Sequence, residues 1–293
     1  MAMAPKYCWL PNGDISYLET NARGLPQVCY RKVDTAGAGP VRFGPELPPG
    51  PPYYSVTPSP DEQWVAYTRE VGAPLYQTTV VSAVGKPKAA FKEQFVGWLS
   101  DNRSFLTVTF AAPPITLKVH HLDSASIESI PQPEGWTTPF VMTRRIDSPD
   151  FLISDSFAQP MPGSPLARNY PNMTQRTFQA AKPGIVPQTW TVSAPDATFG
   201  ATVASPDNKH LLWVTTTRKP VPMDQWLHRL FPKRTVAFKT STDYYISDLH
   251  GNHRHPIMEG GLNRVPYLAP TWTPDSKHLS FLYNNHLYLV PVD

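Results

Sequence analysis

Proline sets the first limit on what this chain can fold into. It occurs 35 times in 293 residues, and it is spread along the chain rather than gathered in one tract. Each proline fixes φ and removes a backbone donor, so long helices and long central strands are hard to build between them. Short strands joined by tight turns remain. The 16 glycines add to the punctuation, while a 41% hydrophobic and 12% aromatic content supplies apolar surface for a core.

Several of the prolines belong to a recurring device. In Ser205-Pro206-Asp207-Asn208-Lys209-His210-Leu211-Leu212-Trp213-Val214 a turn is followed by a short apolar strand. Proline presets φ for the second turn position, and Asp can bond its own backbone nearby. The device returns as Ser59-Pro60-Asp61-Glu62-Gln63-Trp64-Val65-Ala66-Tyr67 and as Thr273-Pro274-Asp275-Ser276-Lys277-His278-Leu279-Ser280-Phe281-Leu282. Asn12-Gly13 is a hairpin signal of the same kind, and Ser100-Asp101-Asn102 and Ser148-Pro149-Asp150 are eroded copies. The anchors Asn12, Asp61, Asp101, Asp150, Asp207 and Asp275 stand 49, 40, 49, 57 and 68 residues apart.

A single hairpin cannot bury its apolar face, so repeated copies must stack on one another. Spacings of about 40–50 residues with several strands per copy are those of propeller blades. Helical solenoids fit poorly, because the segments between turns alternate with period two and are rich in β-branched and aromatic residues. The expectation is an all-β chain: a single β-propeller over residues 1–293, with six four-stranded blades, five or seven being the alternatives. The last blade is expected to end after its third strand. Residues near Met1 to Lys6 then either add its outer strand or leave it short. Trp9, Trp98 and Trp272 precede turns at equivalent positions and are expected to be mostly buried between blades.

Thr271-Trp272-Thr273-Pro274-Asp275-Ser276-Lys277-His278-Leu279-Ser280-Phe281, and Tyr245-Ile246-Ser247-Asp248-Leu249-His250-Gly251 for the second half of a repeat, resemble the TolB-like propeller repeat. The usual Gly after Pro-Asp is replaced here by Glu62, Asn208 or Ser276. The resemblance implies a propeller fold and often an extracytoplasmic setting. A removed leader would place the chain in the periplasm or outside the cell, and otherwise it is cytoplasmic. Function is left open, because propellers host binding, scaffolding and several chemistries.

Charge and composition exclude some classes. Lys plus Arg is 26 against Asp plus Glu 23, a net +3, without the basic excess of a nucleic-acid binder. No run of about 18 apolar residues suggests a membrane span. Cys8 and Cys29 fall on the first and third strands of one sheet, which is about 10 Å and too far for a disulfide.

The repeated Asp of Pro-Asp reads as a turn former rather than as a row of catalytic acids. His250, His253 and His255 form the densest imidazole cluster, a weak metal candidate set in a turn without a convincing third or fourth ligand. The most individual feature is an insertion over residues 218–239 in the fifth blade. Its Asp224 to Phe231 reads as a short helix with Asp224 as N-cap and Pro232 as the stop. Trp226, Leu227, Leu230 and Phe231 share one face, with His228, Arg229, Lys233 and Arg234 beside or beyond it. That face either packs on its own propeller or docks a partner or a membrane surface. No Gly-x-Ser-x-Gly, phosphate loop or dinucleotide glycine pattern occurs. The leading expectation is therefore a noncatalytic protein-binding or scaffolding module, with no cofactor and with a protein or peptide partner. The alternative is a lactonase- or lyase-like enzyme working at the channel mouth, with or without a metal.

Overall fold

The computed structural model describes residues 7–34, 37–50, 53–72, 75–109, 116–130, 139–144, 151–155, 175–181, 188–193, 198–220, 222–231, 238–258, 270–283 and 286–292. Their strands form six antiparallel sheets arranged as a β-propeller, five of four strands and one of three. The first blade comprises β1 (Tyr7–Trp9), β2 (Asp14–Thr20), β3 (Pro26–Asp34) and β4 (Gly37–Glu46). The second has β5 (Tyr53–Pro58), β6 (Trp64–Gly72), β7 (Leu75–Ser82) and β8 (Pro87–Phe91). The third has β9 (Gln94–Trp98), β10 (Ser104–Val108), β11 (Leu117–His121) and β12 (Ile127–Ser129). The fourth has β13 (Pro139–Arg144), β14 (Phe151–Asp155), β15 (Gln175–Ala181) and β16 (Gln188–Ser193). The fifth has β17 (Thr198–Ala204), β18 (His210–Pro220), β19 (Phe238–Asp248) and β20 (His255–Met258), and the sixth has β21 (Thr271–Trp272), β22 (His278–Tyr283) and β23 (His286–Pro291). The turn at Asp150 and the stretch Met1 to Lys6 lie outside the described residues.

The turn device works through one carboxylate oxygen. Asp207 Oδ1 accepts from Ser205 Oγ at 2.5 Å and from the Lys209 backbone N–H at 3.1 Å, while Ser205 Oγ accepts from the His210 N–H at 2.9 Å. Asp275 Oδ1 does the same with Thr273 Oγ1 and Lys277 N–H, at 2.5 and 3.0 Å. Asp61 does so with Ser59 Oγ and Gln63 N–H, at 2.6 and 3.1 Å. The residue after each anchor has positive φ: Gly13 at 85°, Glu62 at 60°, Asn102 at 59°, Asn208 at 56° and Ser276 at 61°. Side chains thus occupy a left-handed position that glycine would take without strain. At two of them the side chain is used between blades. Glu62 accepts a bidentate pair from Arg42 of the first blade, at 2.7 and 3.1 Å. Ser276 Oγ accepts from the Asp207 N–H of the fifth blade's turn at 3.1 Å.

The core lies between blades. Leu10, Val28, Tyr30 and Leu47 pack with Val65, Tyr67 and Val81 of the second blade. Ala66 and Val80 pack with Phe95, Trp98, Phe105 and Leu122 of the third. Leu212 and Ile246 pack with Trp272, Leu279 and Val292 at the seam between the fifth and sixth blades.

Trp98 and Trp272 are buried, and each indole donates to a carbonyl on the inner strand of the preceding blade. The acceptors are Thr57 O at 2.9 Å and Val203 O at 3.0 Å. Trp9 is half-buried and differs in its acceptor. Its indole instead donates to Ser280 Oγ on β22 at 2.7 Å, and the buried Tyr7 hydroxyl meets the same oxygen at 2.8 Å. Ser280 Oγ in turn donates to Thr271 O at 2.9 Å. The seam between the first and sixth blades is therefore partly polar, because a serine stands where the aromatic pair arrives. Neither Cys8 nor Cys29 is in a disulfide; they lie on β1 and β3 with β2 between them.

Two substitutions separate these roles. Trp272→Ala removes a buried side chain and its indole bond and is expected to cost about 3–5 kcal/mol. Asp275→Ala should cost about 0.5–2 kcal/mol, the scale of a lost cap. Chemical denaturation measures both, and a Trp272→Ala loss below about 1 kcal/mol, the scale of a surface site, would overturn the seam assignment.

Candidate docking surface

The fifth blade does not close its central hairpin where the second one does. Strands β18 and β19 stay paired residue by residue from His210↔Asp248 out to Pro220↔Phe238. Part of the 218–239 segment is thus strand rather than loop. The run Thr215-Thr216-Thr217-Arg218-Lys219 has no apolar alternation to reveal this, but its threonines suit a pleated ladder. Beyond Pro220 comes α1 (Pro222–Leu230). It starts two residues before the expected cap: Pro222 takes the first helical position, where proline's missing N–H costs nothing, and Asp224 lies inside the first turn. The Phe231 N–H still bonds Leu227 O at 2.8 Å, so one helical bond continues to Phe231.

The apolar face of this helix is open. Met223 is 68% exposed, Trp226 58%, Leu230 55% and Phe231 61%; Leu227 is half-buried and Arg229 is exposed. The segment 218–239 holds Arg218, Lys219, Arg229, Lys233, Arg234 and Lys239 against the single acid Asp224. It therefore carries five net positive charges in a chain whose total is +3, leaving the remainder net negative by two. Trp226, Leu227, Arg229 and Leu230 lie on α1, and Phe231 directly follows it.

The histidine cluster has a structural explanation. Asp248 Oδ1 accepts from the backbone N–H groups of His250 and Asn252, at 2.9 and 2.8 Å, and Gly251 takes φ 85°. Arg254 lies over the rings of Tyr245 and Trp213, 4.7 and 5.5 Å from their centroids. His250, His253 and His255 point outward, and among the described residues no three His, Cys, Asp or Glu are grouped as a metal ion requires.

The third blade holds a buried polar cluster that sequence reasoning missed. Glu93 Oε1 takes Lys118 Nζ at 2.7 Å, and His120 Nε2 lies 2.7 Å from Glu93 Oε2 and 2.9 Å from Thr107 Oγ1. Thr107 Oγ1 also donates to Glu93. Phe91 and Phe105 flank the His120 ring at 4.2 and 5.2 Å. Burial pushes the Glu93 carboxyl up, but the bonds from His120, Lys118 and Thr107 outweigh it and hold it at about 2. Lys118 and His120 share one face of β11, two residues apart, and that spacing was the only signal available. Nearby, Ser104 Oγ bonds Asp101 Oδ2 at 2.5 Å and His121 Nδ1 at 2.6 Å. This places serine between acid and imidazole, whereas nucleophile activation needs the imidazole between serine and acid. Ser104 is also buried. A cavity of about 470 Å³ lies among the first, second and sixth blades, lined by Tyr7, Cys8, Tyr17, Tyr53, Tyr54 and Thr271 among others. Its wall contains no carboxylate, imidazole, ammonium or guanidinium among the described residues.

No family model matches the sequence, and no curated protein matches it. Solved structures do. A structure assigned to TolB of Agrobacterium tumefaciens is 13% identical with a TM-score of 0.52, the match covering 98% of this chain and 90% of that one. TolB from Acinetobacter baumannii is 12% identical with a TM-score of 0.55, covering 96% of this chain and 64% of that one. The fold is that of the TolB-like propellers. An oligogalacturonate lyase in complex with manganese is equally similar, 12% identical with a TM-score of 0.56, covering 98% of this chain and 76% of that one. At such identities the likeness describes the fold and carries no chemistry with it.

The Glu93 cluster makes a pH prediction. Its carboxyl is depressed in the folded state, so its stabilisation is fully present above the ordinary glutamate range and is lost as pH falls from about 5 towards 2. Acid unfolding followed by circular dichroism should show this limb in the wild type. Glu93→Gln should be less stable at neutral pH and should lack that part of the acid loss. An unchanged acid slope would assign it to other carboxylates.

Proposed function

We propose that the chain is a noncatalytic protein-binding module that docks through the helix-tipped hairpin of the fifth blade. The partner is a protein whose docking site is an apolar groove rimmed by acidic side chains. The observation carrying this reading is the open face of Met223, Trp226, Leu230 and Phe231 on an ordered helix. Large apolar side chains exposed together mark interaction sites, and residues at i, i+3 and i+7 are the anchors of a helix laid into a groove. The basic residues of the same segment supply complementarity to an acidic rim, which speeds encounter and makes binding salt-sensitive.

The rival reading, lyase- or lactonase-like chemistry at the channel mouth, finds support in the cavity beside the inner strands β1, β5 and β21. Its tyrosine, serine and threonine lining gives shape and hydrogen bonds but no ordinary general base. The binding reading therefore stands first. Similar solved structures include TolB proteins and an oligogalacturonate lyase alike, so the fold favours neither.

Deleting Val221 to Arg234 and closing β18 to β19 with a short glycine-containing turn should leave the propeller folded, since the ladder is complete at Pro220↔Phe238. Trp226→Ala with Leu230→Ala should leave the melting temperature unchanged. Both variants should lose the partner that the wild type retains in cross-linking from its native host, and added salt should weaken that retention. Collapse of the deletion variant would make the helix part of the core. Wild-type binding to phosphatidylglycerol vesicles, lost in both variants, would replace the protein partner with a membrane surface.

A further inference from the structure

The sixth sheet differs from the other five in ending, among the described residues, at its third strand. That strand, β23, is His286-Leu287-Tyr288-Leu289-Val290-Pro291, six residues without Lys, Arg, Asp or Glu. Natural sheet edges are blunted by charge, proline or brevity. The other outer strands whose side chains are described follow this rule. β4 carries Pro40, Arg42 and Pro45, β8 carries Pro87 and Lys88, β12 has three residues including Glu128, and β20 has four residues with Pro256 among them, whereas the one proline of the six-residue β23, Pro291, stands at its last position. On β23, Tyr288 is 42% and Leu289 44% exposed, one on each face.

The ladder fixes which backbone groups of β23 face outward. The Val292 N–H bonds Lys277 O at 3.0 Å, and the pairing runs Leu279↔Val290, Phe281↔Tyr288 and Tyr283↔His286. Groups alternate along an antiparallel strand. Val290, Tyr288 and His286 therefore turn their backbone groups to β22, and Leu287 and Leu289 turn theirs away. Pro291 also falls on the outward side and has no N–H to offer.

We propose that two copies of the chain join edge to edge through β23, each supplying the other's sixth blade with a fourth strand. A two-fold axis through the middle of the strand makes the two copies antiparallel by symmetry, as every neighbouring pair within the blades is. Centring the axis on Tyr288 places Leu287 of one copy opposite Leu289 of the other. Those are the two residues with outward N–H and C=O groups, so they form reciprocal backbone bonds and leave Pro291 beyond the paired centre. Tyr288 meets its own counterpart across the axis, and no charged residue meets a like charge. The interface is short, so the dimer is weak and concentration-dependent. This inference does not depend on α1.

The deciding variant is Leu289→Pro, which removes an outward donor and no bond to β22. Sedimentation equilibrium of the full chain should show the wild type passing from monomer to twice the monomer mass as concentration rises, and Leu289→Pro remaining monomeric with the wild-type circular dichroism spectrum. Should that variant unfold, Leu289→Lys gives the same comparison by placing two like charges diagonally across the axis on one face. In hydrogen exchange, the Leu287 and Leu289 amides should gain protection with concentration while Tyr288 and Val290 are protected throughout. A wild type that stays monomeric, or a dimer that survives both substitutions, overturns the proposal. So does protection at Leu287 and Leu289 that is independent of concentration and vanishes on removing Met1 to Lys6, because the chain's own N-terminal stretch would then cover the edge. A dimer abolished by deleting Val221 to Arg234 while Leu289→Lys keeps it would place self-association at the helix instead.

Discussion

The second blade of this propeller is apolar on both faces, and neither face can be covered from within the blade. The strand β6 shows the constraint residue by residue. Val65 and Tyr67 face the first blade and join Leu10, Val28 and Tyr30. Ala66, between them, faces the third blade and joins Phe95, Trp98 and Phe105. The period of two thus sends alternate side chains into two different cores, and each blade is stable only because both neighbours are present. The indoles of Trp98 and Trp272 add direction to this packing. Each crosses a seam to a backbone carbonyl, fixing the angle between sheets where dispersion alone would leave it loose.

The turns form a second system of ties. Residues after the anchors sit at positive φ, which costs an ordinary side chain about 1–2 kcal/mol. Glycine would remove that strain at Glu62 and Ser276, but it would also remove the Arg42 ion pair and the acceptor for the Asp207 N–H. The departure from the glycine of the TolB-like repeat has a physical reason at these two positions: a local penalty is offset by a contact between blades. Asn208 and Asn102 have no such contact among the described residues, and asparagine is the side chain that tolerates this conformation best.

What could be read from residues alone follows the range of the interactions. The Pro-Asp turns were legible because the carboxylate bonds groups one to three positions away, and the short helix because its apolar spacing is local. The Glu93, Thr107, Lys118 and His120 cluster was not, because its members come from three separate stretches joined only by the registers of β9 and β11 on β10. Trp9 looked like Trp98 and Trp272 in sequence, yet its partner is set by Ser280, 271 positions away. In the proline-rich span from Pro160 to Pro187, β15 lies in the proline-free run Gln175–Ala181, which prolines on either side had obscured. The open face of α1 was also beyond sequence reasoning, since amphipathic spacing is the same whether a helix packs on its own domain or stands away from it.

That last ambiguity bears most on function. The paired stem of β18 and β19 carries α1 out on a ladder of backbone bonds, so the helix is held in place before any partner arrives. Ordering a flexible loop on binding would subtract from affinity, whereas a pre-formed helix on a stiff stem loses little conformational entropy when it docks. The same stem explains why exposure of Trp226, Leu230 and Phe231 is sustained. A chain built from repeats can vary such an element without disturbing its seams, because among the described residues no Trp98- or Trp272-type bond passes through it. Under the proposed reading, stability belongs to what the blades share and specificity to the one hairpin they do not.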